Sequence, residues 1–359
     1  LWCLPLVFAA AMFNAGPATA ELSPLLQQSR AAHLSAEILR LHHYKHIPLD
    51  DALSAKIFDN YLKVLDSEKI FFLQTDIERF SSARTHLDEA MLNENLSIPF
   101  AIYNLYQQRV GERASYARSL LAGGFDFHGR ESYQYVRKNM PWPKSADDMN
   151  ELWRKRVKND WLRLRLAGKD DASIRATLGK RYDNILSGMS KINSDDAFQG
   201  FMNAYATAID PHTNYFGKRA AEEFDISMRL SLVGIGAVLQ DKDEYTTIRE
   251  LVAGGPAALS GNLNIGDRIV GVGQGENADP VDVMGWRLDD TVAIIRGAED
   301  TVVRLDILPA GASPDGKHKL VSLLRKKISL DKQAANKSII EIKDGGAVSR
   351  IGGITLPGF

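Results

Sequence analysis

The sequence predicts an α+β protein with a helical N-terminal region followed by a β-rich region. Apolar residues recur at helical spacing from about residue 21 to 225, and from about residue 226 they alternate in short runs separated by polar turns. The chain has 359 residues, which is too many for one average domain. We therefore expect a multidomain α+β chain in four parts, residues 1–20, 21–225, 226–330 and 331–359.

Charge and composition exclude some classes of partner. The chain has 44 Lys and Arg against 45 Asp and Glu, a net charge of −1, and 45% of its residues are hydrophobic. Because positive and negative charges are nearly equal in number, the chain has no general electrostatic attraction to nucleic acid or to an anionic membrane. After residue 20, no apolar run reaches the ~20 residues that a membrane span needs. We expect no nucleic-acid partner and no stable membrane span.

Residues 1–20 differ from the rest of the chain. They carry no charge, are rich in Ala, Leu and Phe, and end in Ala18-Thr19-Ala20, which is typical of a signal-peptide cleavage site. A buried helix is the alternative, against which Pro17 and the polar switch at Glu21 argue. Because a charged first segment and an initiator Met are missing, we expect a truncated start. Cleavage after Ala20 would remove Cys3, the one cysteine, and leave an exported chain without thiol chemistry.

Apolar stripes predict successive helices in the region 21–225. Asp50 precedes the second stripe as a helix cap would, and the glycine pair at 123–124 ends the third. Further helical tracts run through Trp153 to Leu164 and around Ile174 to Met189. The three stripes are Leu34, Ile38 and Leu41; Leu53, Ile57, Tyr61 and Leu65; and Ile102, Leu105, Tyr116 and Leu120.

The triplet Gly234-Ile235-Gly236 is the strongest candidate for a binding site. Two glycines around one aliphatic residue, leading into an apolar strand, let successive backbone N–H groups turn toward one point and bind an anion. If the anion is a C-terminal carboxylate, the next strand can pair with the peptide behind it, as PDZ domains do. A simple tight turn is the alternative. The expected carboxylate-binding residues are Val233, Gly234, Ile235 and Gly236.

A groove for the peptide is expected between the strand from Ala237 and an amphipathic helix within 286–296. Leu288, Val292 and Ile295 fall on one face of that helix. Alternatively, these three residues simply fill the core of the domain. At least four short strands and two short helices within 226–330 fit a PDZ-like barrel. The expected groove residues are Leu232, Ala237, Val238, Leu239, Leu288, Val292 and Ile295.

Two further patterns permit a catalytic or metal-binding interpretation, and we favour a structural one for both. His42, His43 and His46 lie close enough together to suggest a metal site, and His42 and His46 would share a helix face, but no third metal ligand is evident. Asp210 and His212 resemble two members of a catalytic triad, but no serine in a G-x-S-x-G context accompanies them. We expect no metal site, and Asp210 and His212 are expected to hold a domain junction.

Two other patterns resemble ligand-binding surfaces. Gly271-Val-Gly-Gln-Gly275 follows a strand as a dinucleotide loop does, but no helix opens after it. Basic residues between 154 and 165 interleave with Trp153 and Trp161, which could form a surface for membrane or nucleic acid. We favour a solvated helix face whose aromatic residues are core. No organic cofactor is expected.

The polar segment 331–345 reads as a connector, and a new strand begins near Ile351. Seven motifs lie in order along nearly the whole chain: Ser54–Leu62, Pro141–Lys144, Asp210–Tyr215, Leu230–Leu239, Val252–Ala258, Gly285–Asp290 and Leu356–Phe359. Their order is more specific than any single motif. Together they resemble the tail-specific (C-terminal processing) proteases, close to the periplasmic type of Gram-negative bacteria.

The resemblance implies a periplasmic serine endopeptidase that selects protein substrates by an apolar C-terminus. It implies a signal peptide, a helical N-terminal domain, a PDZ domain and a protease core with a Ser/Lys dyad. The dyad lies after the PDZ domain in the family, and no position here matches it, so no catalytic residue is assigned. The chain therefore reads as a truncated form, with only the first strand of the core and no peptidase activity of its own. A non-enzymatic periplasmic adaptor that binds peptide tails is the alternative, and a protein adaptor is a possible partner.

Overall fold

The computed structural model of the chain describes residues 21–229, 231–242, 245–313, 316–329, 336–344 and 347–355. Its chain forms two compact units, Leu1–Gly217 and Lys218–Phe359. The expected signal peptide, residues 1–20, lies outside the described residues.

The first unit is built from helices throughout its described part. Side chains of Asp50, Ser145, Asp170 and Asn193 accept hydrogen bonds from backbone N–H groups in the first turns of four of them, as helix caps do. The elements are α1 (Leu26–His42), α2 (Asp51–Leu65), α3 (Gln74–Arg79), a 3₁₀ helix (Ser81–Thr85), α4 (Leu87–Leu92), α5 (Ser97–Leu120), α6 (Ala146–Leu166), α7 (Asp171–Ser190) and α8 (Ser194–Ile209).

Two apolar clusters stabilise this unit. The first lies around α2 and α8 and includes Ile57, Tyr61 and Phe201; the second lies around α6 and α7 and includes Trp153 and Trp161. All four residues of the second predicted stripe are buried, so that prediction is confirmed. Both cores form from side chains at helical spacing, since each helix buries one face.

Helix α1 turns its predicted stripe away from the core. Leu34, Ile38 and Leu41 are each more than half exposed, whereas Ala32 and Ala36 are buried. The spacing predicted the helix correctly but not the buried face. Small residues on the inner face allow close packing against the neighbouring helices, which larger side chains would prevent.

The second unit begins with one helix and continues as strands with two short helices. Helix continues to residue 229, slightly beyond the change of pattern expected near 226. The elements are α9 (Lys218–Arg229), β1 (Ser231–Gly234), β2 (Ala237–Lys242), β3 (Tyr245–Leu251), α10 (Pro256–Leu259), β4 (Arg268–Gln274), β5 (Val281–Asp282), α11 (Leu288–Ile295), β6 (Val302–Leu308), β7 (Lys319–Leu324), β8 (Lys326–Ser329), β9 (Asn336–Asp344) and β10 (Ala347–Thr355).

An antiparallel sheet of order β2-β3-β4-β6-β7 forms the centre of this unit, with β5 paired to β4. Strand β1 pairs separately with β8. The apolar core lies under the sheet and includes Ile248, Ile269, Leu305 and Ile307. Strand β2 stands at one end of the sheet order, so one of its edges has no partner strand among the described residues.

The second half of the polar segment 331–345, which we interpreted as a connector, contains a strand. Residues from Asn336 form β9, which pairs along its length with β10 and brings Ile351 opposite Ile340. Lys, Ser and Glu side chains interrupt the apolar residues of this strand, so the composition of the segment did not predict it. The strand expected near Ile351 is present, whereas residues 356–359 lie outside the described part.

Among the helices of the described ranges, none has both the length and the apolar composition that crossing a bilayer requires.

Candidate functional site: a glycine turn beside a free strand edge

The turn between β1 and β2 has a backbone that only glycine readily adopts at its centre. Gly236 has φ of +72°, and a Cβ built there would lie 2.9 Å from the Cα of Gly255. The carbonyl oxygens of Ile235 and Gly236 accept hydrogen bonds from the N–H groups of Ala257 and Val252, at 2.8 and 2.9 Å. The turn is thus held in one orientation by the segment 252–257.

Two backbone N–H groups of this turn have no hydrogen-bond acceptor in the part of the chain that the structure describes. Within the described residues, those of Ile235 and Gly236 have no intramolecular acceptor, although both residues are buried. Buried N–H groups are nearly always hydrogen-bonded, so a free adjacent pair is unusual. Neighbouring N–H groups around a residue with positive φ form a nest that accepts an anion.

The unpaired edge of β2 begins directly after this turn. Ala237, Val238 and Leu239 are each half-buried, and a β-bulge against β3 lies between the last two. Helix α11 packs beside β2. An edge strand next to a helix provides open hydrogen-bonding groups and an apolar wall, which is the geometry that strand addition requires.

Helix α11 divides its apolar residues between the core and this groove. Thr291 and Ile295 are the buried positions, whereas Leu288 and Val292 are half-buried. Ile235 and Ile295 are each 3% exposed and belong to the apolar core. They can therefore contribute to a pocket only as its floor, and Val292 is better exposed to act as a wall.

Most of the predicted carboxylate-binding and groove residues lie in the β1–β2 turn, on β2 or on α11, all of which belong to the second unit. Val233 and Gly234 belong to β1 and face Lys327 and Lys326 in the ladder with β8. Leu232 also lies on β1, opposite Ile328, and so not on β2, whose edge was predicted to line the groove. Ile235 and Gly236 are the two members of the predicted nest that lie in the turn itself, outside the β1–β8 ladder.

Sequence reasoning missed Arg325, which connects the groove helix to the β7–β8 junction. Its side chain is buried, and its Nε donates to the carbonyl of Ile295 at 2.8 Å while Nη2 donates to Ile294 and to Gln274. A guanidinium on the last carbonyls of a helix is favourable because those oxygens carry partial negative charge. Gly297 leaves room for it, since a Cβ there would lie 2.9 Å from the guanidinium carbon.

Arg325 also sets which end of α11 lies near the turn. It directly precedes Lys326, which pairs with Gly234, and it binds the last turn of α11. The C-terminal end of α11 is therefore near the glycine turn, and its N-terminal end lies further along the groove. The only signal in the sequence was the basic run Arg325-Lys326-Lys327 between apolar strand residues, and periodicity does not distinguish its first member.

Asp210 has a structural role in the first unit. Its carboxylate binds Lys45, accepts a hydrogen bond from the Tyr44 hydroxyl at 2.7 Å and accepts another from the N–H of His212 at 2.9 Å. These hydrogen bonds, of which the one from Lys45 has the largest effect, hold the pKa of the Asp210 carboxyl well below its ordinary value. The cluster attaches the segment after α1 to the end of α8, and it contains no serine nucleophile.

The other side-chain patterns also have structural explanations. Among the described residues, no group of three or more His, Cys, Asp or Glu side chains could hold a metal ion. His43 instead contacts the Thr213 hydroxyl at 3.0 Å. Gly271 and Gly273 lie inside β4, where a Cβ would meet Pro280 and the Ala278 carbonyl at 2.9 Å. Because these two glycines have no side chain, the segment 278–280 can pack closely against β4, and the glycines do not form a nucleotide loop.

The basic face of α6 is covered by the loop that precedes it. Glu131 pairs with Arg154 and Lys158, each at 3.0 Å. The ring of Phe127 lies against Lys158 and Arg165, at 5.5 and 4.7 Å from its centre. Trp153 and Trp161 are core residues, as expected. These contacts favour the structural interpretation of the basic tract.

Two family models match the chain. A model described as the tail-specific protease N-terminal domain matches residues 35–219, and a PDZ domain model matches residues 223–308. The first match corresponds to the helical unit, and the second includes the glycine turn, β2 and α11.

Among curated proteins, the chain is similar to the tail-specific protease of Haemophilus influenzae, with 39% identity over 344 residues, 96% of this chain and 48% of that protein. It is 31% identical to the carboxy-terminal processing protease CtpA of Bacillus subtilis over 136 residues, 37% of this chain and 28% of that protein. The chain thus spans about half the length of the first relative and less of the second. A solved PDZ domain of the carboxy-terminal protease from Vibrio cholerae, in complex with peptide, is 59% identical and covers 28% of this chain and all of that one, with a TM-score of 0.27.

Proposed function

Because this chain belongs to the tail-specific protease family, we propose that its second unit captures the C-terminal tails of protein substrates for a periplasmic endopeptidase. The observation that carries the proposal is the adjacent pair of N–H groups at Ile235 and Gly236, which have no acceptor among the described residues and lie next to the edge of β2. A terminal carboxylate would satisfy both donors, and charge-assisted hydrogen bonds of this kind are the strong ones.

The position of the nest sets the direction of the tail. With its carboxylate at Gly236, where β2 begins, the tail runs back along β2 toward Lys242 and so pairs antiparallel to it. The last side chain then lies against the wall at Val292 and the floor of Ile235 and Ile295. These apolar surroundings favour an apolar C-terminal residue.

Peptide hydrolysis is proposed for the whole protein. Family members use a Ser nucleophile and a Lys general base, and none of the residues assigned above has that role. The alternative is a tail-binding adaptor without catalysis. Incubating the whole protein with an unfolded substrate that has an apolar tail distinguishes the two, since lasting absence of cleavage would leave only the adaptor function.

Amidation of a bound tail should weaken its complex with the chain by at least about tenfold. The amide removes the negative charge that the nest binds and adds donors that face the N–H groups of Ile235 and Gly236. Fluorescence anisotropy with two labelled peptides that end in the same two apolar residues, one a free acid and one an amide, measures the difference. Equal affinity of the two peptides would contradict the carboxylate site.

Export with cleavage after Ala20 is proposed from residues 1–20 and from the family. The apolar, uncharged segment and its Ala18-Thr19-Ala20 end carry this proposal. N-terminal sequencing of the exported protein should give Glu21 as the first residue. A secreted chain that retains residues before Ala18 would contradict it.

A further inference from the structure

An ion pair joins the first turn of α9 to the first turn of the groove helix. Arg219 Nη2 lies 2.6 Å from Asp289 Oδ2, and Arg287 Nη2 lies 4.0 Å from the same oxygen. Asp289 and Arg219 each keep 43% of their side-chain surface exposed. The pair therefore lies at the surface of the unit.

Helix α9 packs against β1 but sends no described side chain into the apolar core. None of its described side chains is buried, and Phe224 and Met228 are among the exposed apolar residues. Ion pairs between exposed side chains contribute little, because water and salt screen both charges. Another cation that reaches Asp289 can therefore replace Arg219 at small cost.

Asp289 lies where the upstream part of a bound tail would pass. It precedes Ile295 by six residues, which is about 9 Å along the helix. Since the C-terminal end of α11 lies near the glycine turn, Asp289 lies toward the far end of the groove. An extended tail covers about 9 Å in roughly three residues.

Asp289 also stands on the outer side of α11. The buried positions are Thr291 and Ile295, and the helical spacing puts Asp289 on the opposite side from Thr291 and beyond the half-buried Leu288 and Val292. A long cationic side chain can reach this rim while the apolar end of the tail stays between β2 and α11.

We propose that Asp289 is a specificity residue that accepts a lysine or arginine located about three residues before the C-terminal residue of the tail, in exchange for Arg219. This inference rests on the proposed function of the groove. The substrate class is then proteins whose apolar C-terminus follows a cationic residue. Binding of such a tail also detaches the first turn of α9 from α11.

Peptide affinities test the exchange directly. Three free-acid peptides share an apolar end and differ only in Lys, Gln or Glu at the third residue before the last. We expect the chain to bind the Lys peptide about two- to fivefold more tightly than the Gln peptide at low salt, and the Glu peptide least tightly. Asp289→Asn should abolish the preference, and Arg219→Gln should increase it by removing the competing cation.

Asp290→Asn is the matched control, since it removes the same charge from the next residue of the same helix turn. It should keep the Lys preference. If it abolishes the preference as Asp289→Asn does, the effect comes from net charge and the assignment to Asp289 is wrong. If the three peptides bind alike while amidation still weakens each of them, this inference fails and the carboxylate site stands. If amidation has no effect, the proposed function fails first.

Hydrogen exchange supplies a second readout. The Lys peptide should speed the exchange of amides in residues 218–229 relative to the Gln peptide, because it displaces Arg219. The Arg219→Gln variant should show fast exchange there with either peptide. Equal exchange in the wild-type chain with both peptides would contradict the release of α9.

Discussion

Gly236→Ala is expected to weaken binding of an apolar, free-acid tail by at least about tenfold. An alanine at φ of +72° carries about 1–2 kcal/mol of backbone strain, and its Cβ would lie 2.9 Å from the Cα of Gly255. Because the obstacle is backbone, the turn itself has to move, and the N–H groups of Ile235 and Gly236 move with it. Peptide anisotropy gives the affinity, and thermal unfolding gives the accompanying loss of stability.

Gly254→Ala provides the matched control for that substitution. Gly254 has nearly the same φ, +77°, but no atom lies within 4 Å of the Cβ position. It should lower the free energy of unfolding by about 1–2 kcal/mol through strain alone and leave tail affinity unchanged. If both variants lose affinity equally, backbone strain alone explains the loss, and the close approach of Gly236 to Gly255 has no special role in the site.

Val292→Asp is expected to weaken the same complex by on the order of 2 kcal/mol or more, which is at least about tenfold in affinity. The substitution puts a carboxylate on the half-buried groove wall of α11. Desolvation of that charge and repulsion by the carboxylate of the tail both oppose binding. Affinity for a free-acid peptide measures the loss, and circular dichroism verifies that the variant folds.

Ala293→Asp adds the same charge to the exposed side of the same helix. Ala293 is exposed and lies one residue beyond Val292, so the added carboxylate remains in water. Affinity should then change by less than about twofold. A folded Val292→Asp variant that binds as tightly as Ala293→Asp would show that Val292 does not line the groove.

The main features of the site follow from short-range rules. Glycine spacing predicts a turn, and the apolar run from Ala237 predicts a strand after it. The i, i+4 spacing of Leu288 and Val292 predicts one helix face, and the structure has this helix at Leu288–Ile295. Such patterns are readable because local backbone preferences and the period of each element act within a few residues.

Other features depend on which segments become neighbours. Arg325 and Ile295 are thirty residues apart, and no pattern predicts that one caps the helix of the other. The exposed stripe of α1 has the same origin, since the packing of α1 against its neighbours buries Ala32 and Ala36 and leaves Leu34 exposed. Steric fit between elements decides these cases, and spacing within one element does not reveal it.

Local patterns in the sequence predict the α+β class, the order of helical and β-rich parts, the glycine turn and the amphipathic helix. Contacts between distant segments instead leave the N–H groups of Ile235 and Gly236 without an acceptor among the described residues, make β2 an edge strand and bring Arg219 to Asp289. Local propensity and periodicity are properties of consecutive residues, whereas a free donor, an open edge or an ion pair depends on what the rest of the chain leaves beside it.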